Sequence, residues 1–190
     1  MLWPVVLPSK ITFYILLGVL IVATTIAQWY YRKGARTCAL GAVIAILLFV
    51  PCCTVVQKIL DPYRFGVFTY PDFQSVHDFR IERYLPESAT NITVNKQVTG
   101  FQARFTISRQ ALDEFFERQW EARGKDAKLP RETPKPYDRL DWFNDLIAGL
   151  GKQAPAGSIG YEGPRASNGA GFTVLYSESE SVSYLLAAYW

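Results

Sequence analysis

His77 is the only histidine in the 190 residues. Histidine is the usual base behind a serine or cysteine nucleophile and the commonest transition-metal ligand. Here it has nothing to work with. No serine sits in a recognisable nucleophile elbow, and Cys38, Cys52 and Cys53 all lie in or beside one apolar run. His77 therefore reads as an ordinary loop or surface residue, and neither a metal nor any other cofactor is expected. Leu48-Phe49-Val50-Pro51-Cys52 lacks the small residue that precedes a lipid-modified cysteine, so Cys52-Cys53 reads as apolar filling at a helix end.

The other chemical candidates fare no better. The acid pairs Asp113/Glu117 and Asp138/Asp141 have helix-surface or cap spacing, whereas glycosidase-like work needs two acids converging across a cleft. Gly149-Leu150-Gly151-Lys152 invites a phosphate-loop reading. Leu146 stands where the first glycine of that motif belongs, and no strand precedes it. Asn91-Ile92-Thr93 is a glycosylation sequon whose meaning depends on a eukaryotic secretory host that nothing else in the chain indicates. No catalytic residue is assigned.

The elements around these residues are more informative. Charge is absent from Ile11 to Trp29 and again from Thr37 to Gln57. At ~1.5 Å per residue these runs span about 28 and 31 Å, the thickness of a hydrocarbon core. They are read as two transmembrane helices, about 11–29 and 37–57. The remaining chain is too short to wrap two helices that are apolar all round. Thr25-Ile26-Ala27 resembles a signal cleavage site, but the leader has one basic residue, Lys10, and contains Trp3, Pro4 and Pro8, so the first span is expected to be retained.

The linker of about seven residues forces an antiparallel hairpin, with Ala23 and Ala27 facing Gly41 and Ala45 as small residues at the seam. Trp29, Tyr30, Tyr31, Arg32 and Lys33 form an aromatic-basic interface anchor. Neither span carries an ionisable group, which argues against transport by this chain alone. Pro51 is expected to bend or end the second helix.

Net charge is +3, but four positive residues, Lys10, Arg32, Lys33 and Arg36, precede residue 37 without an acid. The rest carries 16 Lys and Arg against 17 Asp and Glu, so no nucleic-acid face is implied. Three of the four basic residues lie between the spans, which places that linker in the cytoplasm and both flanking segments outside. Lys58 and Arg64 beyond the second span pull the other way.

Residues 59–190 then read as one aqueous α+β domain after a hairpin at 1–58. Strand-like runs occupy Arg64–Tyr70, Asp78–Tyr84, Asn91–Asn95 and Val98–Ile107. Ser108 caps a helix over Arg109–Arg123 whose apolar stripe is Leu112, Phe115, Phe116 and Trp120, with Glu114 placed to pair with Arg118. Pro130, Pro134 and Pro136 make residues 124–137 a solvated loop. A second amphipathic helix opens at Asp138 and ends at Gly149 and Gly151. Seven glycines from Gly149 to Gly171 suggest a long flexible connection, followed by a hairpin turning at Glu178-Ser179-Glu180.

Arg83-Tyr84-Leu85-Pro86-Glu87-Ser88-Ala89-Thr90-Asn91-Ile92, then Phe101 to Ser108, Leu112 and Phe115-Phe116, resembles uncharacterised bacterial envelope proteins, lipoproteins or membrane-anchored domains with an LP-x-S-A turn. The resemblance covers about 35 residues and implies fold and compartment, with no active site. The expected protein is a membrane-anchored α+β chain: a two-helix transmembrane hairpin, then an antiparallel sheet packed with two amphipathic helices. It is expected in a bacterial inner membrane with its C-terminal domain periplasmic or extracellular. Its expected partners are membrane lipids and other membrane protein subunits, and its role that of a non-enzymatic accessory or structural subunit. The alternatives are an immunity or envelope-sensing factor, or an enzyme with an unrecognised carboxylate site.

Overall fold

Two long apolar helices precede a seven-stranded antiparallel sheet in the computed structural model, which describes residues 3–32 and 34–189. The chain divides into two compact units, Met1–Arg64 and Phe65–Trp190.

In the first unit, α1 (Trp3–Tyr31) and α2 (Gly34–Arg64) run to 29 and 31 residues. At ~1.5 Å per residue both exceed a 30 Å core. Val5–Tyr30 and Gly34–Arg64 are each long and apolar enough to cross a membrane, and only 11% and 6% of their most apolar stretches are buried. The helices outrun the expected spans, and the linker shrinks from seven residues to Arg32 and its successor. Arg32 turns with φ +52°, and the Gln28 side chain accepts a 3.1 Å bond from the Gly34 amide, closing the corner. Pro51 does not end α2, which continues through Pro62 as well.

The seam is a stripe at about every fourth residue, close to one helical turn. Pro8, Thr12 and Ala27 are buried along α1, with Leu16, Leu20 and Thr24 half-buried between them. On α2, Gly34 and Cys53 are buried and Gly41, Ala45 and Phe49 half-buried. A Cβ on Gly41 would lie 2.6 Å from the Leu20 side chain, so glycine permits the approach. Ala27 lies in the seam at 9% exposure, but Ala23 points outward and Thr24 takes its place. A 3.6-residue turn carries the seam from 20 through 24 to 27, and 23 falls off it. Trp29 and Tyr30 are 80% and 69% exposed. The Tyr31 side chain and all of Lys33 lie outside the described residues.

In the second unit the strands are β1 (Gly66–Asp72), β2 (Thr90–Lys96), β3 (Gly100–Thr106), β4 (Lys135–Pro136), β5 (Ile159–Glu162), β6 (Gly171–Ser177) and β7 (Val182–Ala188). Their order is β1-β2-β3-β7-β6-β5-β4, every neighbour antiparallel. Two meanders are thus zipped together by β3 and β7, from Gly100↔Ala188 to Thr106↔Val182.

Alternation sorts the side chains to two faces. On one, Phe101, Ala103, Phe105, Phe172, Val174, Leu185 and Ala187 meet α4 (Arg109–Arg123) through Leu112, Phe115 and Phe116. On the other, Leu175, Val182 and Tyr184 meet α5 (Leu140–Ile147) through Phe143 and Ile147. The two amphipathic helices therefore cover opposite faces. Buried Gln102, on the α5 face, donates to the Leu146 carbonyl and accepts from Asn95.

Several local expectations change. Asp78–Tyr84 is not a strand: Asp78 caps the single-turn helix α3 (Phe79–Glu82), accepting from the Arg80 amide. Glu114 bonds Gln110 rather than Arg118. The second amphipathic helix starts at Leu140 without a side-chain cap, so Asp138 does not open it. The glycine-rich connection contains β5, and its entry is fixed by Asn144, which exchanges two hydrogen bonds with Ala154.

Candidate ligand-binding cleft

The sheet ends at β4, whose two residues, Lys135 and Pro136, pair with Gly160 and Ile159. The chain leaves the sheet there, and a cleft opens between the departing loop, the end of β5 and the helices on either side. Its main part has a volume of about 490 Å³ and reaches Trp120, Leu129, Lys135, Arg139, Trp142 and Glu162. A neighbouring hollow of about 290 Å³ shares Trp120, Glu132 and Glu162 and extends along α4 to Asp113 and Glu117.

Glu162 stands where the two hollows meet. Thr173, its register partner on β6, donates to its carboxylate at 2.9 Å, and Arg165 lies 3.6 Å away. Burial pushes the Glu162 carboxyl above the usual range, with Glu132 adding to the rise, and the Thr173 bond and Arg165 offset part of it. Its backbone carbonyl accepts from the Trp120 indole at 3.2 Å, which ties the last turns of α4 to the strand. Tyr161 points to the opposite face and donates to Asp113 at 2.8 Å. Burial and the nearby carboxylate raise that phenol, so it stays protonated.

Across the opening, Arg131 grips Glu117 through both guanidinium nitrogens, holding the proline-rich loop against α4. That bond drives the Glu117 carboxyl below its ordinary value. Lys135 reaches Glu132 at 2.9 Å, and the Lys128 amide donates to the Arg165 carbonyl at 2.8 Å. Trp142 on α5 keeps 53% of its surface open at the rim.

The sequence candidates scatter around this centre. Asp113 and Glu117 lie on the exposed surface of α4, as their spacing suggests, and also line the cleft, where they pair with Tyr161 and Arg131. Asp138 lines the wider hollow, while Asp141 is not among its lining residues. His77 is an exposed turn residue at φ +46°. Gly149–Lys152 spans a short 3-10 turn and its end, with no phosphate cradle formed by a preceding strand. Asn91 sits exposed at φ +49° on the β2 irregularity. Among the described residues no three His, Cys, Asp or Glu side chains gather as metal ligands would. Glu132, Glu162 and Trp142 gave no local signal. The one hint is that Tyr161-Glu162 is bracketed by Gly160 and Gly163, whose Cβ atoms would collide with Tyr137 and Phe172. No protein family, curated protein or solved structure matches this chain.

Proposed function

We propose that this chain is a membrane-anchored, non-enzymatic binding protein. In this reading α1 and α2 span a bacterial inner membrane, and the sheet domain, on the periplasmic or extracellular side, serves a larger membrane complex as an accessory subunit. The observation that supports binding is the cleft at β5. Its acids are largely neutralised by Glu117–Arg131, Glu132–Lys135 and Glu162–Arg165, which makes it a recognition surface of paired charges. The anchor is supported by two helices of membrane length with exposed apolar flanks. An immunity or envelope-sensing role would use the same surface.

One observation favours an enzyme as second reading. Glu162, whose carboxyl burial raises, shares the cleft system with Glu117, whose carboxyl the Arg131 bond lowers, and two acids driven apart in this way are the arrangement acid–base hydrolysis uses. The two readings separate in one experiment. A photo-crosslinking residue at position 142 in native membranes should capture a discrete partner whatever stands at position 162. Loss of the phenotype in Glu162→Gln with the fold, that capture and ligand binding all preserved would favour the enzyme.

A further inference from the structure

Resting on the reading of the cleft as a binding site, we propose that it recognises a short neutral saccharide. Charge comes first. The wider hollow is lined by Glu132, Asp138 and Glu162 against Lys135, Arg139 and Arg165, which sum to zero. Two of these acids already have cationic partners, Lys135 on Glu132 and Arg165 on Glu162, and the remaining two charges are sequence neighbours of opposite sign. An anion or a zwitterion would have to pull these pairs apart to be bound. A polyhydroxyl ligand does not, because each hydroxyl both donates and accepts and can bridge a carboxylate and its cation together.

Shape points the same way. The floor is made of small or polar groups, Gly160, Gly163 and Thr173, with no enclosed apolar pocket of the kind that anchors a peptide side chain. Its apolar surface lies at the walls, where Leu129, Pro130 and Tyr137 accompany two flat rings: Trp142, 53% exposed, and Trp120, fixed by its indole bond to the Glu162 carbonyl. Flat aromatic faces beside planar hydrogen-bonding groups suit a ring with one apolar face and a rim of hydroxyls. The volume of about 490 Å³ lies within the range of small-ligand sites.

The test uses the full chain in lauryldimethylamine oxide, a sugar-free detergent. Intrinsic tryptophan fluorescence is titrated with cellotriose, maltotriose and chitotriose, and with triglycine and inorganic phosphate for comparison. At least one trisaccharide should give a saturable change in the millimolar range or below, with triglycine and phosphate inert. Trp142→Ala should weaken that binding at least tenfold while its melting temperature stays at the parent value, and Lys125→Ala, outside the cleft, should change neither. Glu162→Gln, which keeps side-chain volume, should also weaken it. Saturation by triglycine or phosphate instead, silence with all three trisaccharides, or binding indifferent to Trp142→Ala would each overturn the saccharide. If the crosslinker at position 142 still captures a protein partner in that event, the binding reading stands and only the ligand class has failed.

Discussion

Glu162 and Glu117 belong to one cleft system, and their surroundings drive them in opposite directions. Burial raises the Glu162 carboxyl, while the Arg131 bond lowers that of Glu117. An unfolded glutamate titrates at ~4.3. A raised folded value means the native state holds a proton the unfolded chain has released, so stability on account of Glu162 is present at low pH and lost as pH rises through its folded value. The depressed Glu117 stabilises above ~4.3 and loses that contribution as pH falls below it. The melting temperature should therefore show two limbs, an upper one that rises as pH is lowered through the raised Glu162 value and a lower one that falls as pH drops below about 4.3. Glu162→Gln should flatten the upper limb alone, as scanning calorimetry across pH would show. Neutral residues test the packing. Phe116 is 4% exposed and stacks on Tyr161 and Phe172 at 5.0 and 5.3 Å, so Phe116→Ala should cost about 3–5 kcal/mol in urea unfolding. Lys125→Ala should stay within about 0.5 kcal/mol. Phe116 was legible because a helical stripe is a local pattern. Glu162 was not, because its environment is assembled from Thr173, Glu132 and Trp120, each remote in sequence or on another element.

At the scale of elements, periodicity decides what can be read. The helix over 109–123 has its stripe and its cap, and the Ser108 hydroxyl accepts from the Ala111 amide at 3.3 Å. Ser108→Ala should cost about 1 kcal/mol by the same unfolding measurement. The segment 78–84 shows the opposite case. Phe79 and Ile81 alternate with Arg80 and Glu82 as in a strand, but the residues buried are Ile81, Tyr84 and Leu85, spaced as on a helical turn. Over so few residues the two periods coincide, and the Asp78 cap decides between them. The hidden strand β5 lacked any pattern, since Gly160 and Gly163 around it serve close approach to rings. Its entry depends on Asn144. Removing that side chain strands the buried Ala154 amide, so Asn144→Ala should destabilise by about 1–3 kcal/mol, and hydrogen exchange should show Ala154 losing protection first.

For the whole molecule, the proposed anchor makes a topological prediction. With Cys38, Cys52 and Cys53 replaced by alanine, a cysteine at Arg32 should resist a membrane-impermeant thiol reagent in intact cells. One at exposed Lys128 should react. The reverse labelling would move the domain to the cytoplasm. The strand order carries a further consequence, for the timing of biogenesis. β1, β2 and β3 can pair as soon as they emerge, but the edge of β3 finds its neighbour only when β7 arrives, 76 residues later for Thr106 with Val182 and 88 for Gly100 with Ala188. Until then β3 presents Phe101 and Phe105 without the strand beside them, a long-range closure that is slow and exposed to mispairing. The two apolar helices emerge first, so insertion of the hairpin would precede closure of the sheet. A nascent chain held in this interval is the species a chaperone would meet. Its vulnerable surface is the β3 edge, which the finished protein keeps covered.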